Sequence, residues 1–168
     1  GGYLGVATSG DVAVKANLPT FEIHGRYGLG NNMDLGAKIY PIGTGIDFNY
    51  AIINNSNIAF SLNPSVAYVN LPSSSAVNSP SGLALTDLKV LVDFLKTDSV
   101  VLTAGAKGGG KLTMGGPTGG FQPTVGGTAG ATFMLGDNFG LKPWFDGMYN
   151  IDNGIFSYNG FLAFEFNM

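Results

Sequence analysis

The single histidine of the chain lies between charges of opposite sign. Glu22, His24 and Arg26 are two residues apart, so their side chains share one face of a β-strand. A histidine beside a carboxylate can act as a general base, but only where substrate reaches it. No Ser–His–acid group is evident at such a position, and one histidine without cysteine is too few ligands for zinc. We predict a structural hydrogen bond for His24 and no catalytic or metal-binding residues.

A glycine-rich segment, GAKGGGKL at residues 105–112, has the spacing of a phosphate-binding P-loop. Lys111 fits the motif, but Leu112 replaces the Ser or Thr that would bind magnesium. A P-loop also joins a strand to a helix, whereas the surrounding pattern here indicates a β-hairpin. We therefore predict no bound nucleotide or other cofactor. The glycines at residues 108–110 are interpreted as a bulge or kink in a strand.

Most ionisable side chains alternate with apolar ones and therefore share one face of the predicted strands. Seven acidic and six basic residues lie on this face, so their charges nearly cancel. A lining of one sign would indicate ion selectivity, whereas a mixed lining indicates ion pairs that fill a narrow interior. With His24, this predicted charge network comprises Glu22, His24, Arg26, Asp34, Lys38, Asp47, Asp87, Lys89, Asp93, Lys107, Lys111, Lys142, Asp146 and Glu165.

The elements that position these residues are β-strands, because apolar residues recur at every second position to the end of the chain. Residues 20–40 show the pattern clearly, with Gly30-Asn31-Asn32 as hairpin-turn chemistry between two alternating runs. Nine strands are predicted from residue 20 onward, and a tenth within residues 3–16. The predicted fold class is an all-β, antiparallel up-and-down barrel of about ten strands, with eight as the alternative.

The composition places the apolar face of these strands against lipid. Charged residues make up 11% of the chain, against roughly 25% in a soluble domain, and hydrophobic residues make up 45%. No run of about 18 apolar residues is present, which excludes a transmembrane helix. A soluble barrel with the apolar face inward would show water a surface almost devoid of charge. A transmembrane β-barrel is therefore predicted, as a single domain over residues 1–168.

The connections between the strands alternate in length. Tight turns are predicted at residues 30–32, 54–57, 96–99 and 136–138, and the other connections at about 17–19, 41–45, 71–82, 113–120 and 152–156. Tight turns at one rim and more variable loops at the other are typical of transmembrane barrels. An even number of strands places both termini at the tight-turn rim, which we predict to be periplasmic.

Aromatic residues of the apolar face cluster near the strand ends, as lipid interfaces favour. Toward the tight turns, the predicted girdle contains Tyr27, Phe60, Phe94, Phe133, Phe139 and Phe166. Toward the other rim, it contains Phe21, Phe48, Tyr68, Tyr149, Phe156 and Tyr158.

The last strand, GFLAFEFNM, is similar to the terminal strand of bacterial outer-membrane β-barrel proteins. In that family the strand carries a signal that the barrel assembly machinery reads. Phe164, Phe166 and Met168 take its alternating positions, although Met168 replaces the frequent terminal Phe and Ala163 the preferred Gly. The hairpin GRYGLGNNMDLGAK also resembles one that recurs in poorly characterised members. The resemblance implies an outer-membrane location and names no activity.

The sequence therefore predicts a non-enzymatic integral outer-membrane barrel that serves as a membrane anchor or scaffold within a larger envelope assembly. The first alternative is a narrow, porin-like passive pore, and the second is an outer-membrane enzyme. The net charge of −3 without a basic run argues against nucleic acid as a partner. Expected partners are outer-membrane lipid, the barrel assembly machinery during insertion, and another envelope protein.

Overall fold

Ten antiparallel strands form one closed barrel in the computed structural model, which describes residues 2–11, 18–41, 43–70, 82–114, 120–136 and 139–166. Within those ranges, no helix is long and apolar enough to span a membrane. The strands are β1 (Gly2–Asp11), β2 (Leu18–Gly30), β3 (Met33–Tyr40), β4 (Gly43–Asn54), β5 (Ala59–Asn70), β6 (Gly82–Lys96), β7 (Val100–Met114), β8 (Phe121–Met134), β9 (Phe139–Asn150) and β10 (Phe156–Phe166).

Each strand pairs with its neighbours in sequence, and β1 pairs with β10 from Gly2–Phe166 to Asp11–Ser157. This pairing closes the sheet, so that no strand edge is left with unpaired backbone groups. The predicted up-and-down topology and the count of ten strands are confirmed, and the alternative of eight is excluded. The first strand lies within Gly2–Asp11, while residues 12–17 are outside the described part.

The distribution of buried residues is the inverse of that in a soluble barrel. Among the described residues, the buried apolar side chains are two alanines, Ala59 and Ala163. The buried polar or charged residues are His24, Asp47, Asn63, Thr103, Lys107, Thr128, Asp146 and Asn150. Large apolar side chains such as Ile46, Leu88 and Phe145 are exposed on the outer surface. The apolar face therefore points outward to lipid, as predicted, and the soluble alternative is wrong.

Exposed aromatic side chains lie near both rims. Tyr27, Phe94 and Phe133 are exposed toward the tight turns, whereas Tyr68, Tyr149 and Phe156 are exposed toward the other rim. Four further members of the predicted girdles, Phe48, Phe60, Phe139 and Tyr158, are half-buried. The side chains of Phe21 and Phe166 are outside the described part of the chain. Phe121, which is not a member of either predicted girdle, is also exposed at the start of β8.

The first tight turn is formed by residues whose backbone φ angles are positive. Gly30, Asn31 and Asn32 have φ of 83°, 50° and 62°, the left-handed region that Gly and Asn tolerate best. The register between neighbouring strands shifts just before three of the tight turns, between Gly28 and Gly30, Ala51 and Ile53, and Asp93 and Leu95. Each shift is a bulge that adds one residue to the leading strand of its hairpin.

The bulge or kink predicted at residues 108–110 is wrong. These glycines pair in continuous register with β6 and with β8. Their small size serves close packing instead, because a Cβ on Gly109 would overlap the Thr86 carbonyl and one on Gly110 would overlap the Phe121 ring. Residues 105–112 thus lie within a regular strand, without the helix that a P-loop requires.

A charge on the outer surface should destabilise the barrel according to its depth. Leu88 is exposed at the middle of β6, and Leu112 is exposed near the end of β7. Leu88→Arg should cost about 2–4 kcal/mol at the bilayer midplane, and Leu112→Arg about 0–1 kcal/mol near the interface. Denaturant unfolding in lipid vesicles measures both values. Equal costs at the two depths would contradict the assigned position of the membrane.

Candidate functional site

A buried carboxylate, Asp47, gathers the charges of β2, β3 and β4 inside the barrel. Its Oδ2 atom lies 2.9 Å from His24 Nε2 and 3.8 Å from Lys38 Nζ, and its Oδ1 lies 2.8 Å from Arg26 Nη2. The side chains of His24 and Asp47 are 0% and 1% exposed. Arg26 also pairs with Asp34, to which its Nε donates at 2.6 Å. We call His24, Arg26, Asp34, Lys38 and Asp47 the Asp47 cluster.

Neutral amides complete this cluster. Asn49 donates to Asp34 at 3.1 Å, and Asn63 donates to Asp47 Oδ1 at 3.1 Å and to the Phe48 carbonyl at 3.0 Å. The second bond of Asn63 has a backbone cause. Pro64 follows it and has no N–H for the sheet, and regular β4–β5 pairing is interrupted between Asp47 and Tyr50. The Asn63 amide therefore supplies a donor where the sheet lacks one.

Gly36 gives the Asp47 cluster its space. This residue lies on β3, directly opposite Arg26 on β2 and Asp47 on β4. A Cβ at this position would overlap His24 Nε2 and both carboxylate oxygens of Asp47. The contact between His24 and Asp47 crosses β3 because Gly36 has no side chain.

A second buried carboxylate, Asp146, occupies the opposite wall. Lys107 Nζ donates to its Oδ2 at 2.9 Å, while Thr128 Oγ1 and Trp144 Nε1 donate to its Oδ1 at 2.5 and 3.0 Å. The side chains of Lys107 and Asp146 are 3% and 10% exposed. With three donors from three strands, this carboxylate is fully satisfied, as a buried charge requires. We call Lys107, Thr128, Trp144 and Asp146 the Asp146 cluster.

Two further charges on β6 face the same interior. Lys89 lies directly opposite Lys107 in register, and Asp87 lies opposite Gly109. Asp87 and Lys89 thus lie on the same inward face as Lys107, beside the Asp146 cluster.

The remaining predicted charges are not members of either cluster. Asp93 accepts a hydrogen bond from Thr103 at 2.6 Å. The Lys142 ammonium lies 5.3 Å from the centre of the Trp144 ring, and Lys111 faces inward opposite Leu85, nearer the loop rim. Glu22 pairs with Gly5 and Glu165 pairs with Tyr3 in the sheet, and their side chains are outside the described part.

Comparison with known proteins supports the fold without supplying an activity. No family model and no curated protein sequence matches the chain. Neisserial surface protein A is 11% identical at a TM-score of 0.53, and the match covers 99% of this chain and 94% of that protein. The NanC porin is 7% identical at a TM-score of 0.56, with 98% and 100% covered. The chain has the fold of a bacterial outer-membrane β-barrel. At these identities the likeness extends to the fold alone.

The proposed assembly signal lies on the last strand of this outer-membrane barrel. Phe164 points outward and stacks on Phe139, with ring centroids 5.9 Å apart. Phe166 ends β10, where it pairs with Gly2 across the closing seam and with Phe139 on β9. Met168 lies outside the described residues.

The two clusters lie about halfway along the outer-membrane barrel. His24 is the seventh of thirteen residues in β2, and Lys107 is the eighth of fifteen in β7. Strand alternation predicts which side chains enter the interior, but it does not identify the neutral hydrogen-bond partners of the charges, which are Asn49, Asn63, Thr128 and Trp144. Their signal was their position on the same face as the charges. In the described part of the chain, no three His, Cys, Asp or Glu side chains are grouped to hold a metal.

Proposed function

We propose that this protein is a non-enzymatic membrane anchor or scaffold of the outer membrane whose interior is closed by its own side chains. The observation that carries the proposal is the burial of charged groups at mid-height on two opposite walls. The Asp47 cluster spans β2 to β4, and the Asp146 cluster spans β7 to β9. In a ten-stranded barrel, β3 and β8 face each other across the interior.

A continuous water column would reach side chains that point into the interior. His24, Asp47 and Lys107 are inward-facing at this level, yet their side chains are at most 3% exposed. Such burial is expected where side chains fill a small barrel, and porins of larger diameter instead keep an aqueous channel. The packing therefore supports a closed interior at the level of the two clusters.

The charges of the clusters also balance. Arg26 and Lys38 offset Asp34 and Asp47 when His24 is neutral, and Lys107 offsets Asp146. A selective channel would require an excess of one sign along its path. The balanced lining supports a structural role for these groups.

The absence of enzymatic activity is part of the proposal. His24 is the single histidine, and it is buried against Asp47 in the interior. General acid–base catalysis requires contact with substrate, which this position does not provide.

The second candidate function is a narrow passive pore. One solved structure of similar fold is a porin, NanC, and the match covers the whole of that chain. Arg26 and Asp34 are each 29% exposed, so solvent reaches the tight-turn side of the Asp47 cluster. A pore would need the remaining pairs to rearrange.

We further propose that the tight turns and both termini face the periplasm. The start of β1 pairs with the end of β10, with Gly2 opposite Phe166, and Phe166 in turn lies opposite Phe139, the first residue of β9 after a tight turn. A scaffold in this orientation would engage the barrel assembly machinery during insertion and another envelope protein afterwards. Outer-membrane lipid would surround it, and nucleic acid is not an expected partner.

Conductance separates the two candidate functions. The purified protein in a planar lipid bilayer should show no steady current, because the Asp47 and Asp146 clusters block the interior. A variant in which Arg26, Asp47, Lys107 and Asp146 are all replaced by Ala should conduct. It removes two charges of each sign and so leaves little uncompensated charge.

The quadruple variant is also the insertion control, since its current shows that the chain enters the bilayer in an open form. Steady currents from the unmodified protein that scale with salt would establish the pore and overturn the closed interior. The scaffold itself is tested by mass spectrometry after cross-linking in native membranes, where a stoichiometric envelope partner is expected. Recovery of the barrel alone would contradict it.

A further inference from the structure

Bulges precede three of the tight turns, and two of them flank β5. In β4, Ala51 pairs with Ser61 and the next pair is Ile53 with Phe60, so Ile52 is the added residue. In β6, Asp93 pairs with Thr103 and the next pair is Leu95 with Leu102, so Phe94 is the added residue. Both bulges therefore lie at the same end of the barrel, beside the start of β5.

Each of these bulges turns two consecutive side chains outward. Ile52 and Ile53 are 48% and 49% exposed, and Phe94 and Leu95 are 56% and 44% exposed. A regular strand would have sent one member of each pair into the interior. Ile58, in the turn before β5, is also exposed. We call Ile52, Ile53, Ile58, Phe94 and Leu95 the bulge patch.

The bulge geometry does not itself require these large apolar side chains. The bulge of β2 has the same place before its turn, but it turns only one large apolar side chain outward, Leu29, because its second position is Gly30. On the opposite side of the barrel, the pairing of β10 with β9 and with β1 is continuous and adds no outward residue. Leu135, at the turn between β8 and β9, is also exposed, but the largest group of exposed apolar side chains at the tight-turn rim lies on the β4–β6 side.

We propose that the bulge patch is embedded in the acyl chains of the leaflet around the tight turns, and that it seats the barrel more deeply on the β4–β6 side. Lipid is the occupant because the patch is continuous with the lipid-facing surface of the barrel. Ile53 and Leu95 pair with Phe60 and Leu102, and Phe60 belongs to the aromatic girdle of the lipid-facing surface. When the apolar surface of a membrane protein is taller on one side than on the other, the protein tilts in the bilayer so that both sides stay covered by acyl chains.

A polar boundary lies immediately beyond the patch. Lys96 Nζ donates to Asn54 Oδ1 at 2.7 Å and to the Asn55 carbonyl at 3.3 Å, which ties the β4–β5 turn to β6. Asp98 follows in the next turn and is exposed. An apolar surface bordered by lysine and amides is the arrangement that a membrane–water interface favours. The inference does not depend on whether the barrel conducts.

Site-directed fluorescence tests the proposal, because the chain contains no cysteine and each introduced thiol is unique. An environment-sensitive NBD probe is attached to Ile53→Cys and Leu95→Cys in the folded barrel, in phosphatidylcholine vesicles that contain acyl-chain spin-labelled lipid. Leu88→Cys is the lipid reference, and Asn57→Cys in an exposed turn is the water reference. Phe139→Cys reports the rim on the far side.

The emission of probes at Ile53 and Leu95 should be blue-shifted, and the spin-labelled lipid should quench it as strongly as it quenches the Leu88 probe. Both effects should be larger than those at the Phe139 probe. Probes at Ile52→Cys and Phe94→Cys provide a second pair if a first variant does not fold. Emission and quenching like those of the Asn57 probe would overturn the proposal, since the patch would then face water. Shielding from both lipid and aqueous quenchers would equally overturn it and indicate a second copy of the chain.

Discussion

Replacing Lys107 with methionine should destabilise the barrel by about 3–5 kcal/mol, which is the usual cost of removing one member of a buried ion pair and leaving the other without a counter-charge. Asp146 would keep its bonds from Thr128 and Trp144 but would lose the cation 2.9 Å from Oδ2. Two neutral donors do not offset a carboxylate that is largely excluded from water. Denaturant unfolding in lipid vesicles measures the change in free energy.

A double-mutant cycle separates the pair from general damage to packing. Lys107→Met combined with Asp146→Asn should be less destabilising than Lys107→Met alone, because no unpaired charge remains. Lys142→Met is the control, since Lys142 lies over the Trp144 ring outside the Asp146 cluster and should cost about 1 kcal/mol. A loss below about 1 kcal/mol in Lys107→Met would mean that water solvates this pair.

The alternation of apolar and polar residues along the strands predicts most of the fold. Side chains alternate across a strand with a period of two, so the sequence separates the two faces without knowledge of the partner strand. Asp47 and Lys107 are assigned to the interior in this way, while Ile46 and Leu88 are assigned to the outer surface. The low charge content then decides which face meets lipid. Hairpin order follows because each tight turn joins neighbours in sequence.

Alternation does not give the position along the barrel axis at which side chains of different strands meet. His24 and Asp47 belong to different hairpins, and their contact depends on the registers of β2 with β3 and of β3 with β4. It also depends on Gly36, whose role is visible only once both neighbours are placed. The sequence therefore predicts a mixed charge network but not its division into two clusters.

Bulges are equally hidden from a pattern of period two. Ile52-Ile53 and Phe94-Leu95 look like interruptions at strand ends, where turns begin and alternation stops anyway. Their meaning depends on pairing with β5 and β7. Conversely, the three glycines at residues 108–110 predict a bulge, because glycine is frequent in β-bulges. In this barrel they allow close packing against β6 and Phe121 instead.

The second large effect is expected at Gly36. Gly36→Val should cost about 3–5 kcal/mol in denaturant unfolding, because its side chain would displace His24 and Asp47 from each other. Asp47 would lose its contact with His24 at 2.9 Å, while Arg26 and Lys38 would be left with a displaced counter-charge. Gly25→Val is the matched control on the adjacent strand. It faces outward with nothing within 4 Å of its Cβ position, so it should change stability by less than about 1 kcal/mol.

The loss of stability in Gly36→Val should depend on the Asp47 carboxylate, for which Gly36 leaves space. In an Asp47→Ala background, a side chain at position 36 meets no carboxylate, so the further loss from Gly36→Val should be smaller than in the unmodified barrel. Additive losses would mean that the substitution acts through the backbone of β3 alone. Equal tolerance of valine at positions 25 and 36 would mean that the Asp47 cluster leaves open space, and that finding would favour the pore over the closed scaffold.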